Sequence, residues 1–174
     1  VAVPKQVSGI RPRNVEQRLA LDLLLDPDVP LVTLLGKAGT GKTLLALAAG
    51  LMLTVEKRLY RRLLVARPIF PMGRDLGYLP GDVDEKLRPW MQPIYDNLEY
   101  LLGEFGPSTN PEGHPIDQLL DRGLLEVEPL TYIRGRSLPK QYMIVDEAQN
   151  LTPHEVKTVV TRAGEGTKIV LTGD

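Results

Sequence analysis

The sequence predicts an α/β domain with a parallel sheet flanked by helices, and three observations predict it. Gly36-Lys37-Ala38-Gly39-Thr40-Gly41-Lys42-Thr43 matches the phosphate-cradling pattern G-x-x-x-x-G-K-[ST] at every fixed position. The apolar run Leu31-Val32-Thr33-Leu34-Leu35 precedes it and Leu44-Leu45-Ala46-Leu47-Ala48-Ala49 follows it, the strand and helix that the pattern requires. Further along, the apolar Tyr142-Met143-Ile144-Val145 runs into Asp146-Glu147-Ala148-Gln149-Asn150, a buried strand ending in two acids.

A chain of 174 residues, 43% of them hydrophobic, suits one domain with a real core. Residues 1–12 carry two prolines and a glycine without periodicity and are expected to be a linker or extended lead-in, leaving 13–174 as the domain. The formal net charge of −1 gives no global basic footprint, so a nucleic-acid contact has to come from local patches. The absence of cysteine excludes disulfides and thiolate metal sites. No apolar stretch reaches membrane-span length and no leader pattern opens the sequence, so the expectation is a soluble, cytoplasmic protein with no membrane partner. The sequence starts at Val1 and stops at Asp174 directly after a predicted strand ending at Thr172, which is expected of a truncated piece of a longer chain.

Taken in order, Val15, Leu19, Leu21, Leu23 and Leu24 suit a short helix capped by Asn14 and ended by Asp26-Pro27-Asp28. Gln17, three residues after the cap, admits two readings: a capping box closed onto the cap residue's N–H, or an amide that reads an adenine edge. The basic stretch Glu56 to Arg62 reads as a solvated face or a nucleic-acid contact, and opens the strand Leu63-Leu64-Val65-Ala66. Arg67-Pro68 leaves that strand at its carboxyl end, the ligand side of an open parallel sheet. The punctuated segment Pro71 to Gly81 is expected to run over the surface.

Asp82 and Glu85 predict a capping box for a helix that Pro89 and Pro93 should bend or split, with Trp90, Tyr95 and Tyr100 as packing residues or a base-stacking platform. Gly106 to Gly113 is the best mobile-loop candidate, and His114 beside it reads as ordinary surface. A short helix from Ile116 to Arg122 ends at Gly123, and Leu124 to Val127 is a strand. Tyr132-Ile133-Arg134-Gly135-Arg136-Ser137 is either a surface turn or a phosphate contact through Arg134 and Arg136. Thr152-Pro153-His154-Glu155 starts a helix that Gly164 ends, with His154 exposed, and Lys168 to Thr172 is the last strand.

The glycines at 36, 39 and 41 let backbone N–H groups and the positive end of the next helix wrap a phosphate chain. Lys42 would bring charge to the β and γ phosphates, and Thr43 with Asp146 would hold Mg²⁺. Glu147 would polarise the attacking water, which favours hydrolysis over transfer, and Gln149 would sense the γ-phosphate or position that water. Thr172-Gly173-Asp174 should emerge at the same sheet edge, with Asp174 placed to feel phosphate loss. Catalytic candidates are thus Lys42, Asp146, Glu147 and Gln149. Nucleic-acid candidates are Arg67, Arg134 and Arg136.

Together the phosphate loop, the Asp146 to Asn150 box, Arg67-Pro68 with Leu76-Gly77-Tyr78-Leu79-Pro80-Gly81, Arg134-Gly135-Arg136, and Thr161-Arg162 with Thr172-Gly173-Asp174 resemble the PhoH family of P-loop ATPases, over nearly the whole chain from Gly9. That resemblance implies a fold similar to the first RecA-type domain of superfamily-one helicases, with ATP and Mg²⁺ as ligands and RNA-linked hydrolysis as the activity. It also implies homo-oligomers, some of them rings, and favours the adenine-reading role of Gln17. Some longer relatives carry an amino-terminal PIN-type nuclease domain, but this sequence has no acidic cluster of that kind. Related motors add an arginine from a later motif or a neighbouring subunit, for which Arg162 or Arg67 are the candidates here. The competing expectation is a nucleotide-dependent assembly switch with slow hydrolysis. A small-molecule phosphotransferase lacks a visible acceptor site.

Overall fold

A computed structural model describes residues 7–69, 83–103 and 113–174, with side chains in the 83–103 helix from residue 88 onward. The surface segment Pro71 to Gly81, the Asp82–Glu85 capping box, the mobile-loop candidate ahead of Gly113 and the start of the lead-in lie outside the described residues. Among the described residues, no helix is long and apolar enough to cross a membrane.

Five strands form one sheet: β1 (Leu31–Leu35), β2 (Arg62–Arg67), β3 (Leu125–Pro129), β4 (Gln141–Val145) and β5 (Lys168–Gly173). Their order is β1-β5-β4-β2-β3 and every pairing is parallel. The helices are α1 (Val15–Leu25), α2 (Lys42–Leu51), α3 (Val83–Gly103), α4 (Pro115–Asp121) and α5 (Pro153–Arg162). Parallel strands need crossovers, so helices cover both faces and the strands read as near-continuous apolar runs. Alternate strand residues divide between two cores. Val32, Leu63, Val65, Tyr142, Ile144 and Val170 pack under α1 to α4, whereas Leu64, Ala66, Met143, Val145 and Ile169 pack with Val159 of α5.

The local signals explain most boundaries. Asn14 Oδ1 accepts from Gln17 N at 2.8 Å and starts α1 where expected. Thr152 and Glu155 complete their reciprocal capping box on α5. His114 is more than surface, since its Nδ1 accepts from Ile116 N at 3.3 Å and caps α4.

Three expectations are corrected. α3 is not split at Pro89 or Pro93 but runs through both as one helix. Met91 is buried, Ile94, Leu98 and Leu101 face the core that α2 shares, and packing outweighs the two backbone bonds that proline removes. In α1 only Leu21 and Leu24 are buried, while Val15, Leu19 and Leu23 form an exposed stripe. Tyr100, expected to pack, is 50% exposed.

A buried lysine ties α1 to the sheet. Lys168 Nζ donates to the carbonyls of Leu23, Asp26 and Val29 at 2.8, 2.7 and 2.7 Å, satisfying acceptors at the carboxyl end of α1 and in the turn before β1. Burial lowers its pKa to about 8, with Asp26 opposing the shift.

Candidate nucleotide site

The loop between β1 and α2 closes on itself before it meets anything else. Gly39 and Gly41 take φ of 80° and 85°, a left-handed backbone that side-chain-bearing residues avoid, and this turns successive N–H groups inward at the start of α2. Thr40 Oγ1 donates to Lys37 O at 2.8 Å. Lys42 Nζ lies across the loop, donating to the carbonyls of Gly36 and, at 2.9 Å, Lys37, and it pairs with Asp174 Oδ1 at 3.1 Å.

β5 brings the remaining parts to this loop. It sits between β1 and β4, with Leu35 opposite Gly173 and Val145 opposite Leu171. Thr43 Oγ1 therefore reaches Asp146 Oδ1 at 2.8 Å, and Thr172 Oγ1 donates to the same oxygen at 2.7 Å. Asp146 is 5% exposed and Thr172 is fully buried. A carboxylate so enclosed needs these donors, because an unpaired buried charge is costly. Its other oxygen faces Arg67 Nε at 3.5 Å.

Glu147 turns away from Asp146 through a left-handed backbone, φ 56°. Its Oε1 pairs with Arg67 Nη2 at 3.3 Å and its Oε2 accepts from Gln149 Nε2 at 2.5 Å. Gln149 Oε1 in turn accepts from Asp174 N at 3.3 Å. Lys42, Asp174, Gln149 and Glu147 thus form one linked group at the carboxyl edge of the sheet and Thr43, Asp146 and Thr172 a second, and Arg67 joins the two through its ion pairs with Glu147 and Asp146.

On the far side of the loop, a cleft of about 450 Å³ is bounded by Pro12, Arg13, Gln17, Gly41, Leu44 and Tyr100. Gln17 lies on its wall. Its Nε2 donates to Thr40 O at 3.2 Å, and its Oε1 accepts from Arg13 N at 2.8 Å, so the back-bond reaches the residue before the cap and not Asn14 itself. That geometry departs from a strict capping box and ties the glutamine to the phosphate loop.

The three nucleic-acid candidates are placed differently. Arg67 is turned into the acid group, with its side chain 20% exposed. Arg136 is held by Glu126 at 3.2 Å and Glu128 at 3.0 Å, in a network that also contains an Arg62–Glu126 pair. Burial and the neighbouring Glu126 raise the Glu128 pKa, and the arginines oppose that rise. Arg134 is 66% exposed, with Glu155 at 4.0 Å. It borders a second cleft of about 360 Å³ with Pro68, Leu130, His154, Thr158 and Arg162. Thr172 as a partner of Asp146, and Tyr100 on the cleft beside Gln17, were not among the expected site residues. A polar residue at the end of a core strand, directly before Gly173-Asp174, was the available signal for the former.

A phosphate loop on the first strand and a strand-end aspartate joined to its threonine, on an all-parallel sheet, define a P-loop NTPase domain of the RecA-like kind. Two solved structures agree. The UvsW helicase from bacteriophage T4 matches with a TM-score of 0.57 over 95% of this chain and 53% of that one. The Sulfolobus solfataricus SWI2/SNF2 ATPase core in complex with dsDNA matches with 0.59 over 100% and 34%. Both are 15% identical, a likeness of fold alone.

The family model described as PhoH-like protein matches residues 9–174, and the chain belongs to the PhoH family. It is 61% identical over 171 residues to Protein PhoH2 of Bacillus subtilis (strain 168) and 48% identical to Protein PhoH2 of Thermobispora bispora, covering 98% of this chain and 37% of each relative. It is 40% identical to a PhoH-like protein of Bacillus subtilis, covering 99% of this chain and 51% of that relative. The chain therefore spans between about a third and a half of the length of these relatives. Family and fold together support nucleotide binding and hydrolysis.

Proposed function

We propose that this chain is a Mg²⁺-dependent ATPase whose turnover is coupled to RNA binding or remodelling. The observation that carries the hydrolytic part is the 2.8 Å bond between Thr43 and Asp146, which joins the phosphate loop to the acid box across 103 residues of sequence. Both groups offer hard oxygen atoms, the donor chemistry that Mg²⁺ prefers, and a phosphate-bound Mg²⁺ asks for only one or two protein ligands. When bound, the ion would neutralise charge on the β and γ phosphates.

The chain's own residues supply the rest. The loop N–H groups and the start of α2 receive the phosphates. Lys42, now paired with Asp174, exchanges that partner for phosphate oxygens. Glu147, next to Asp146 yet turned from it, accepts the proton of the attacking water. Gln149 bridges Glu147 and the Asp174 backbone, so loss of the γ-phosphate is felt by both strand ends. Gln17 and the cleft beside Tyr100 take the adenine.

For RNA, support comes from the second cleft, where the exposed Arg134 and Arg162 stand over an apolar floor of Pro68 and Leu130 at the ligand edge of the sheet. Family resemblance supports a homo-oligomer, in which Arg162 is the candidate to reach a neighbour's site. The test is turnover of ATP with RNA and DNA titrated in, for wild type and Glu147→Gln. Loss of about 100-fold or more in turnover with retained ATP binding is expected for the variant. Wild-type protein that binds ATP with Mg²⁺ but turns none over, with or without RNA, refutes hydrolysis and favours the assembly switch.

A further inference from the structure

We propose that Arg67 is the positioning residue for Glu147, fixing the orientation of its carboxylate from inside the fold; this deepens, and rests on, the hydrolytic reading of the site.

The placement follows from strand register. β2 and β4 are paired with Ala66 opposite Val145, and the ladder continues one step through Asp146 N donating to Ala66 O at 2.9 Å. The next residue on β2 is Arg67, so its side chain emerges beside the acid box, although 80 residues separate it from Glu147.

Each end of the guanidinium fork has its own acceptor. Nη1 donates to the Trp90 carbonyl of α3 at 2.8 Å, Nη2 pairs with Glu147 Oε1 at 3.3 Å, and Nε faces Asp146 Oδ2 at 3.5 Å. The planar fork suits this division, since one group with fixed donor directions meets three acceptors at once. The Trp90 contact anchors it to α3, and its 20% exposure leaves little surface for an outside partner.

Glu147 needs such a holder. Its left-handed backbone is uncommon for a residue with a Cβ, and a strained position persists where surrounding contacts over-determine it. Its side chain is 38% exposed, and among the described residues Gln149 is the one other side chain that would restrain the carboxylate without Arg67. Arg67 also sets one positive charge between two adjacent carboxylates, which holds both in place.

The experiment is a double-substitution cycle on ATP turnover without nucleic acid, using Arg67→Ala, Arg67→Lys, Glu147→Gln and the combinations. Arg67→Ala is expected to lower kcat by about 10- to 100-fold, the usual loss when the partner that orients an active group is removed, while KM for ATP changes less than about threefold. Arg67→Lys, with one donor cluster in place of the fork, should recover part of the loss. In the Glu147→Gln background either Arg67 substitution should cost little more, because the arginine acts through that carboxylate. Wild-type kcat in Arg67→Ala, or a loss that multiplies fully with that of Glu147→Gln, overturns the proposal, as does a rise in KM matching the fall in kcat. If the alanine variant does not fold, the lysine variant takes its place in the cycle, and the same outcomes support or overturn the proposal. Absence of turnover in wild type is a different result and strikes the hydrolytic reading itself.

Discussion

Gly173→Ala tests the joint between the last strand and the acid turn. Gly173 is outside the left-handed region, so alanine meets no backbone penalty and the question is one of space alone. A Cβ built there would lie 2.5 Å from Gln149 Oε1, 3.1 Å from Gln149 N and 3.5 Å from Ala148 N. Rotating the glutamine relieves the first of these and the last is ordinary contact, but the 3.1 Å approach is to a backbone nitrogen and is too tight to stand. The turn that carries Ala148 and Gln149 must therefore move. Overpacking of this kind costs about 1–3 kcal/mol. Losing the bond from Asp174 N to Gln149 adds about 0.5–1.5 kcal/mol, for a total of about 1.5–4.5. With a urea dependence of about 2 kcal/mol per molar, the unfolding midpoint should fall by about 1–2 M. Turnover should fall as well, because Gln149 is displaced from Glu147. A midpoint within about 0.3 M of wild type, together with unchanged turnover, would refute the close approach of the strand to the turn.

Three further outcomes are expected. Lys168→Met leaves three carbonyls without their shared donor and should cost at least about 2 kcal/mol in denaturant unfolding. Because the native lysine titrates near 8 and the unfolded one near 10.5, the unfolded chain binds more protons between those values. Wild-type stability should thus rise with pH across that window, by up to about 1.4 kcal/mol per pH unit, and the rise should vanish in Lys168→Met. Gln17→Ala should raise KM for ATP at least about fivefold with little change for GTP, the loss of about 1 kcal/mol or more of base reading. Equal effects on both nucleotides in the same turnover assay would mean that the glutamine only supports the loop through Thr40.

The parts of the site legible in the sequence are those whose chemistry is local. A left-handed turn needs glycine, so Gly39 and Gly41 mark the loop wherever the chain folds, and Thr152 to Glu155 marks a helix start for the same reason. Apolar runs found all five strands because a sheet covered on both faces demands them. What stayed hidden depends on register and packing partners. Arg67 read as a nucleic-acid candidate because no local pattern says that β2 lies beside β4 with Ala66 opposite Val145. Tyr100 and Leu19 have the spacing of packed residues, yet only the placement of α3 and α1 decides which side of each helix meets the sheet. The prolines of α3 carried a true local preference that tertiary burial overrode. Nothing local marks Lys168 beyond its place at the start of a strand, because its three carbonyl partners come from a helix end and turn some 140 residues earlier.

The position of β5 has a consequence for the birth of the molecule. It lies between β1 and β4, so the strand bearing the phosphate loop and the strand bearing the acids stand roughly 10 Å apart, two strand spacings, and only β5 pairs with both. A nascent chain has made both halves of the pocket by residue 150, yet neither half is paired to the other before 168–173 arrives. Closure is thus a late event with large sequence separation, the kind of step that makes parallel sheets slow to complete. The two halves of the proposed nucleotide pocket therefore come together only when β5 lies between β1 and β4, so substitutions that delay or loosen β5 act on the pocket as a whole.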